Sequence, residues 1–186
     1  MRKIRYNFSM DKETVNVVIN NKDSLVKHII KYYYNNNKTI ISPIKLQKCL
    51  YFLFAIWGGY VLSSRNGKNE DKDSHNYSEY LFDDDFSVWE YGPVDEKAYN
   101  WFENFNDNEI EQLELLKKED LNYKDEDNNI CSFINEMLNK LFNISDFGLV
   151  DLSHDDDVWK DAISNHKNKL ERNMIITEYE RRLTSQ

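Results

Sequence analysis

Apolar positions recur along this chain mostly with the 3.6-residue period of a helix. Leu25, Val26, Ile29, Ile30 and Tyr33 fall on one face, with Asp23 or Ser24 able to cap the start and Asn35-Asn36-Asn37 at the end. The stretch from Ile40 to Leu62 is different. From Cys49 to Trp57 nearly every side chain is apolar or aromatic. A helix that is apolar on all sides is buried on all sides, so the pattern predicts a central core helix. Ser42 can accept from a free amide of its first turn, and Pro43 suits the first helical position. Lys45 and Lys48 lie three apart and are expected to share one wet edge. The pure apolar run is shorter than the roughly 18 residues a membrane span needs, and Gly58-Gly59 interrupts its end.

The flanking pattern predicts smaller pieces. Met1 to Asn20 alternates loosely, which suggests two short strands. Ser63 to Ser78 has no apolar rhythm and is expected to be a loop. Tyr80–Phe82 and Phe86–Tyr91 are short and aromatic, which suggests a hairpin with Asp83, Asp84 and Asp85 at its tip. Gly92-Pro93 then turns the chain. A helix starting at Asp95 carries Tyr99, Trp101, Phe102 and Phe105, and Ile110, Leu113 and Leu116 suggest another. Lys117 to Asn129 is a charged connector. Ile130, Phe133, Ile134, Met137, Leu138, Leu141 and Phe142 form a clear amphipathic helix. Ser145 caps a short successor through Leu152, Asp155–Asp157 cap a helix after it, and Thr177 with Glu180 has capping-box spacing.

Composition narrows the function classes. The chain has 186 residues, enough for one domain with a sizeable core. Gly and Pro number only 5 and 2, which argues for long helices. A net charge of −9 repels nucleic acid and anionic membranes and suits a basic protein partner. Cys49 and Cys131 form no disulfide framework or metal spacing. No apolar segment of a signal peptide follows the basic start, so a cytoplasmic location is expected.

The candidate chemistry is sparse. His154 followed by Asp155, Asp156 and Asp157 could bind a divalent metal or share a proton, but a histidine ending one helix and acids capping the next is the stronger reading. His28, His75 and His166 have no ligand spacing with the cysteines. No phosphate loop or nucleophile elbow is present. Trp89 and Trp159 are expected to close the core. Tyr91, beside a turn, is divided between core and partner anchor. If buried, Gln47 needs a partner, which a backbone carbonyl would satisfy.

Three segments carry a family resemblance. Ser42-Pro43-Ile44-Lys45-Leu46-Gln47-Lys48-Cys49-Leu50-Tyr51 resembles the S/T-P-x-K-L-Q-K-L-L-Y opening of the Panacea domain, the family of phage-associated GepA and SocA-type proteins. Trp89-Glu90-Tyr91-Gly92-Pro93-Val94 resembles its W-x-Y-G-P-V segment. Leu149-Val150-Asp151-Leu152-Ser153-His154, followed by Trp159, resembles its L-x-x-L-T/S-H … W segment. The segments occur in the family's order, and the resemblance covers roughly Asp23 to Leu183. Val88 departs from the usual alanine, the loop after Ser63 is long, and residues Met1 to Asn20 match nothing in the family. The resemblance implies a mostly helical domain found in antitoxins that bind varied toxins, with no established catalysis.

The expectation is therefore a mainly α fold. Residues 21–186 form a compact helical domain of about six or seven helices around the buried helix, with a small β-hairpin, and residues 1–20 are an extension. The expected function is an antitoxin-like protein that neutralises a toxin by direct contact. The partner is a basic protein met through Lys45, Lys48, Asp83, Asp84, Asp85 or Tyr91. No cofactor, metal or direct nucleic-acid contact is expected. Two alternatives stand beside it: a phage or mobile-element inhibitor of a host nucleoprotein such as a CRISPR effector, and a metal-dependent enzyme using His154. The oligomeric state is open.

Overall fold

A computed structural model describes residues 15–68, 76–124 and 128–185. Seven α-helices appear among the described residues: α1 (Lys22–Asn37), α2 (Pro43–Arg65), α3 (Glu96–Glu103), α4 (Asn129–Phe142), α5 (Asp146–His154), α6 (Asp157–Ser164) and α7 (Arg172–Thr184). One antiparallel hairpin lies between α2 and α3, made of β1 (Phe86–Trp89) and β2 (Gly92–Asp95). The mainly helical class with a small hairpin is as expected.

Helix α2 is the axis of the fold. Ser42 caps it, its Oγ accepting from the Lys45 amide at 3.0 Å, and Pro43 occupies the first turn. Leu46, Leu50, Leu53, Phe54 and Val61 are wholly buried. The helix runs through Gly58-Gly59 rather than stopping there. A Cβ at Gly58 would meet Ile176 Cγ2 at 2.1 Å, and one at Gly59 would meet the Tyr179 backbone at 2.6 Å. The glycines therefore let α7 lie against α2, the most extensive helix packing among the described residues.

Several local expectations change. Asp83–Asp85 are not a hairpin tip: Tyr80–Phe82 forms no strand, and the two-residue turn is Glu90-Tyr91. The register pairs Phe86 with Asp95 and Trp89 with Gly92. The acids instead precede β1 and are tied down. Arg172 Nη2 lies 3.2 Å from Asp83 Oδ1, Arg172 Nε lies 3.1 Å from buried Asp84, and Lys169 lies 2.8 Å from Asp85. Residues 107–112 form a 3-10 helix that stops before Leu113 and Leu116. Thr177 is inside α7 rather than at its start. The strands expected before Asn20 fall mostly outside the described residues. Within them, Val17–Ile19 are buried, and Ile19 bridges Leu121.

The start of α6 shows a further correction. Asp156 stands at its N-cap position, yet its carboxylate makes no capping bond. Glu178 from α7 does that work, accepting from the amides of Asp157 at 2.8 Å and Val158 at 2.9 Å. A carboxylate at a helix N-terminus is favourable whichever element supplies it. Asp156 is thereby released to face the interior.

Candidate partner-binding site

The three motifs, far apart in sequence, meet in space. Lys48 on α2 is only 1% exposed, so it is no wet edge. Its ammonium donates to the Pro93 carbonyl at 3.0 Å, which fastens α2 to β2. Gly92, with φ of +92°, brings the hairpin turn down onto this lysine. A Cβ there would stand 2.4 Å from Ser153 Oγ on α5 and 2.7 Å from Lys48 Nζ. Only glycine fits both the left-handed backbone and the contact. Lys45 is buried too. Its Nζ donates to the Ile144 carbonyl and lies 3.4 Å from Asp146 Oδ1, so it fastens α2 to the start of α5.

Behind Lys48 lies a buried polar seam. Asp156 accepts from the Tyr51 hydroxyl and from the Tyr179 hydroxyl at 3.0 Å, and Arg182 Nη1 sits 2.9 Å away. Burial pushes the Asp156 carboxyl up to about 6, against the stabilising Tyr51 bond and Arg182 charge. Burial likewise drags the Lys48 ammonium down to about 7, with the Asp156 charge opposing it. Each group suffers from lost hydration and is partly compensated by its neighbours.

The face toward solvent is arranged differently. Trp89 is 40% exposed and Tyr91 54% exposed. The expectation that Trp89 closes the core is corrected: β1 ends at the surface, where its ring meets Tyr99 edge-on at 5.2 Å. Beneath these rings is a cavity of about 190 Å³. Pro43, Ile44, Gln47 and Lys48 form its α2 wall, and Trp89, Tyr91, Val94 and Tyr99 close it from the hairpin and α3. Gln47 is 3% exposed. Its Oε1 accepts from the Asp95 amide at 2.8 Å, so a backbone amide rather than a carbonyl is its partner. That bond fixes the oxygen and leaves Nε2 with no partner among the described residues.

His154 does not line this cavity. Its ring stacks on Trp159 with centroids 4.0 Å apart, and Trp159 is half-buried. No group of three His, Cys, Asp or Glu side chains is placed to hold a metal among the described residues. Neither Cys49 nor Cys131 is in a disulfide. No helix among the described residues is long and apolar enough to cross a membrane.

Sequence reasoning singled out Pro43, Gln47, Lys48, Trp89 and Tyr91 but not Ile44, Val94 or Tyr99 as site residues, and it read Asp156 as a cap or metal ligand rather than as a buried acceptor. Ile44, Gln47 and Lys48 stand at i, i+3 and i+4, a spacing that places them on one helix face. That signal was available. The pairing of this face with the hairpin is a tertiary fact with no local trace.

No curated protein and no solved structure matches the chain. A family model does. Residues 70–160 match the family described as antitoxin SocA-like, Panacea domain. The matched stretch holds the hairpin and the α5–α6 motif, while the α2 motif packed against them lies outside it. The resemblance carried by the three motifs is thus borne out across residues 70–160: this part of the chain matches the Panacea domain of SocA-like antitoxins.

Proposed function

We propose that this chain is an antitoxin-type inhibitory protein that neutralises a toxin by direct protein contact, without catalysis of its own. The family match supports the class of function. The observation that carries the reading is the pair of exposed aromatic rings, Trp89 and Tyr91, standing over an apolar cavity. Aromatic side chains dominate the energetics of protein interfaces, and a monomer gains nothing by leaving two beside a cavity.

The charge of −9 adds a property of the partner. A basic toxin would be drawn in by the long-range field, with an association rate that falls as salt is raised. Asp83 and Asp85 contribute little to such steering, because Arg172 and Lys169 already pair with them. Lys45 and Lys48 are buried and act on a partner only through the surface they hold in place.

The test is recovery from the native host of a stoichiometric partner that is toxic when expressed alone and harmless when co-expressed with this chain. The Trp89→Ala, Tyr91→Ala double variant should lose both capture and protection. Full protection by the double variant would remove the hairpin surface from the mechanism. Failure to find any toxic partner would remove the antitoxin reading itself.

A further inference from the structure

The cavity under the hairpin has a chemical bias. Its walls are mostly apolar, and no acidic side chain lines it. Its two polar residues on α2 are donors. Lys48 is already engaged with the Pro93 carbonyl. The Gln47 amide is not: Nε2 is buried, faces no acceptor among the described residues, and cannot exchange roles with Oε1, which the Asp95 amide holds. An unmet buried donor is costly, and nearly all such groups find a partner. Here the missing partner is an oxygen acceptor that none of the described residues supplies.

Size narrows the occupant. About 190 Å³ lies below the range of roughly 300–1,000 Å³ typical of sites for cofactors and drug-sized ligands. It suits one side chain. Exposed Trp89 and Tyr91 at the edge supply contact area for the polypeptide around it.

We propose that this cavity is a socket for one large apolar residue of the partner polypeptide, whose carbonyl oxygen accepts a hydrogen bond from Gln47 Nε2. The inference rests on the antitoxin reading for the identity of the partner but can be tested without it. The socket explains why a glutamine stands at this buried position: its oxygen holds the end of β2, and its nitrogen reads the incoming residue. It also assigns the hairpin a recognition role in which Trp89 and Tyr91 surround the anchor and exclude water from that hydrogen bond.

The experiment uses N-acetyl-phenylalaninamide as the probe, an apolar ring carrying amide carbonyls, with ethylbenzene as the same ring lacking an acceptor. Methyl NMR of the full chain follows Ile44 and Val94. Saturable shifts of both methyls with the amide, and binding of ethylbenzene about tenfold weaker, are expected from one lost hydrogen bond. Gln47→Glu keeps the acceptor for the Asp95 amide and, when ionised, removes the donor, so it should weaken the amide by a larger factor than ethylbenzene. Equal binding of the two probes would overturn the acceptor assignment. Absence of saturable shifts would overturn the socket. Tighter binding of phenylacetate than of the amide would reassign the site to a free carboxylic acid and overturn the polypeptide occupant. None of these outcomes depends on whether a toxin partner is found.

Discussion

Around Asp156 both carboxylate oxygens are engaged, by Tyr51, Tyr179 and Arg182, and the group is sealed from solvent. On the other side of Lys48, Gln47 Nε2 meets no acceptor among the described residues, and two aromatic rings stand open to water. Both regions draw on α2, but the closed one adds Asp156 and α7 while the open one adds the hairpin and Tyr99 of α3. The difference separates two uses of motif residues. Polar groups that close on one another hold the elements in register. Polar and aromatic groups left open at the surface are available for a partner. Motif membership alone does not say which use a residue has.

The comparison breaks most readily on the closed side. Asp156→Ala leaves the buried Tyr51 and Tyr179 hydroxyls without their acceptor, while Arg182 keeps Glu178, and should cost about 1–3 kcal/mol for each hydroxyl left unmet. Chemical denaturation would measure it, and a loss under about 1 kcal/mol would show that the seam contributes little. Leu50→Ala or Phe54→Ala, in the core beside it, should each cost about 2–5 kcal/mol. Unchanged melting in both would contradict the role of α2 as the axis.

Lys48 sharpens the comparison through pH. Its folded value is about 7 against an ordinary 10.5. Between those values the unfolded chain binds more protons than the folded one, so stability contributed by this site rises as pH rises. Below about pH 7 both states are protonated and the burial cost is constant. Wild type should therefore gain on a Lys48→Met variant by up to about 1.4 kcal/mol per pH unit between about pH 7 and pH 10. A stability difference flat across that range would show that Lys48 retains its charge without strain. The Asp156 carboxyl has the opposite sign: raised to about 6, it loses stability as pH rises from its ordinary 3.8 and then levels off.

The closed region was only partly legible from sequence. The apolar run from Cys49 to Trp57 announced α2, because full burial leaves its mark in every position. The same run misled about Lys45 and Lys48. A lysine reads as solvent-facing unless its acceptor is known, and the acceptors here are the carbonyls of Pro93 and Ile144, remote in sequence. The acids at 155–157 read as a cap because caps are local, but Glu178 supplies the cap from another helix. Trp89 read as core because tryptophans usually are. Its exposure follows from the turn at Glu90-Tyr91, placed by the register of the hairpin rather than by composition.

The open side should respond in the opposite way. Trp89→Ala and Tyr91→Ala remove exposed rings, so each should change stability by less than about 0.5 kcal/mol. Their effect belongs to binding. The decisive measurement is the affinity of the proposed toxin partner, once purified, for wild type and for the Trp89→Ala, Tyr91→Ala variant, with thermal melting recorded on the same samples. An interface anchored on these rings predicts unchanged melting and an affinity loss of at least about 2 kcal/mol, roughly thirtyfold. Equal affinity for both proteins would contradict the assignment of the open hairpin as the partner-binding surface.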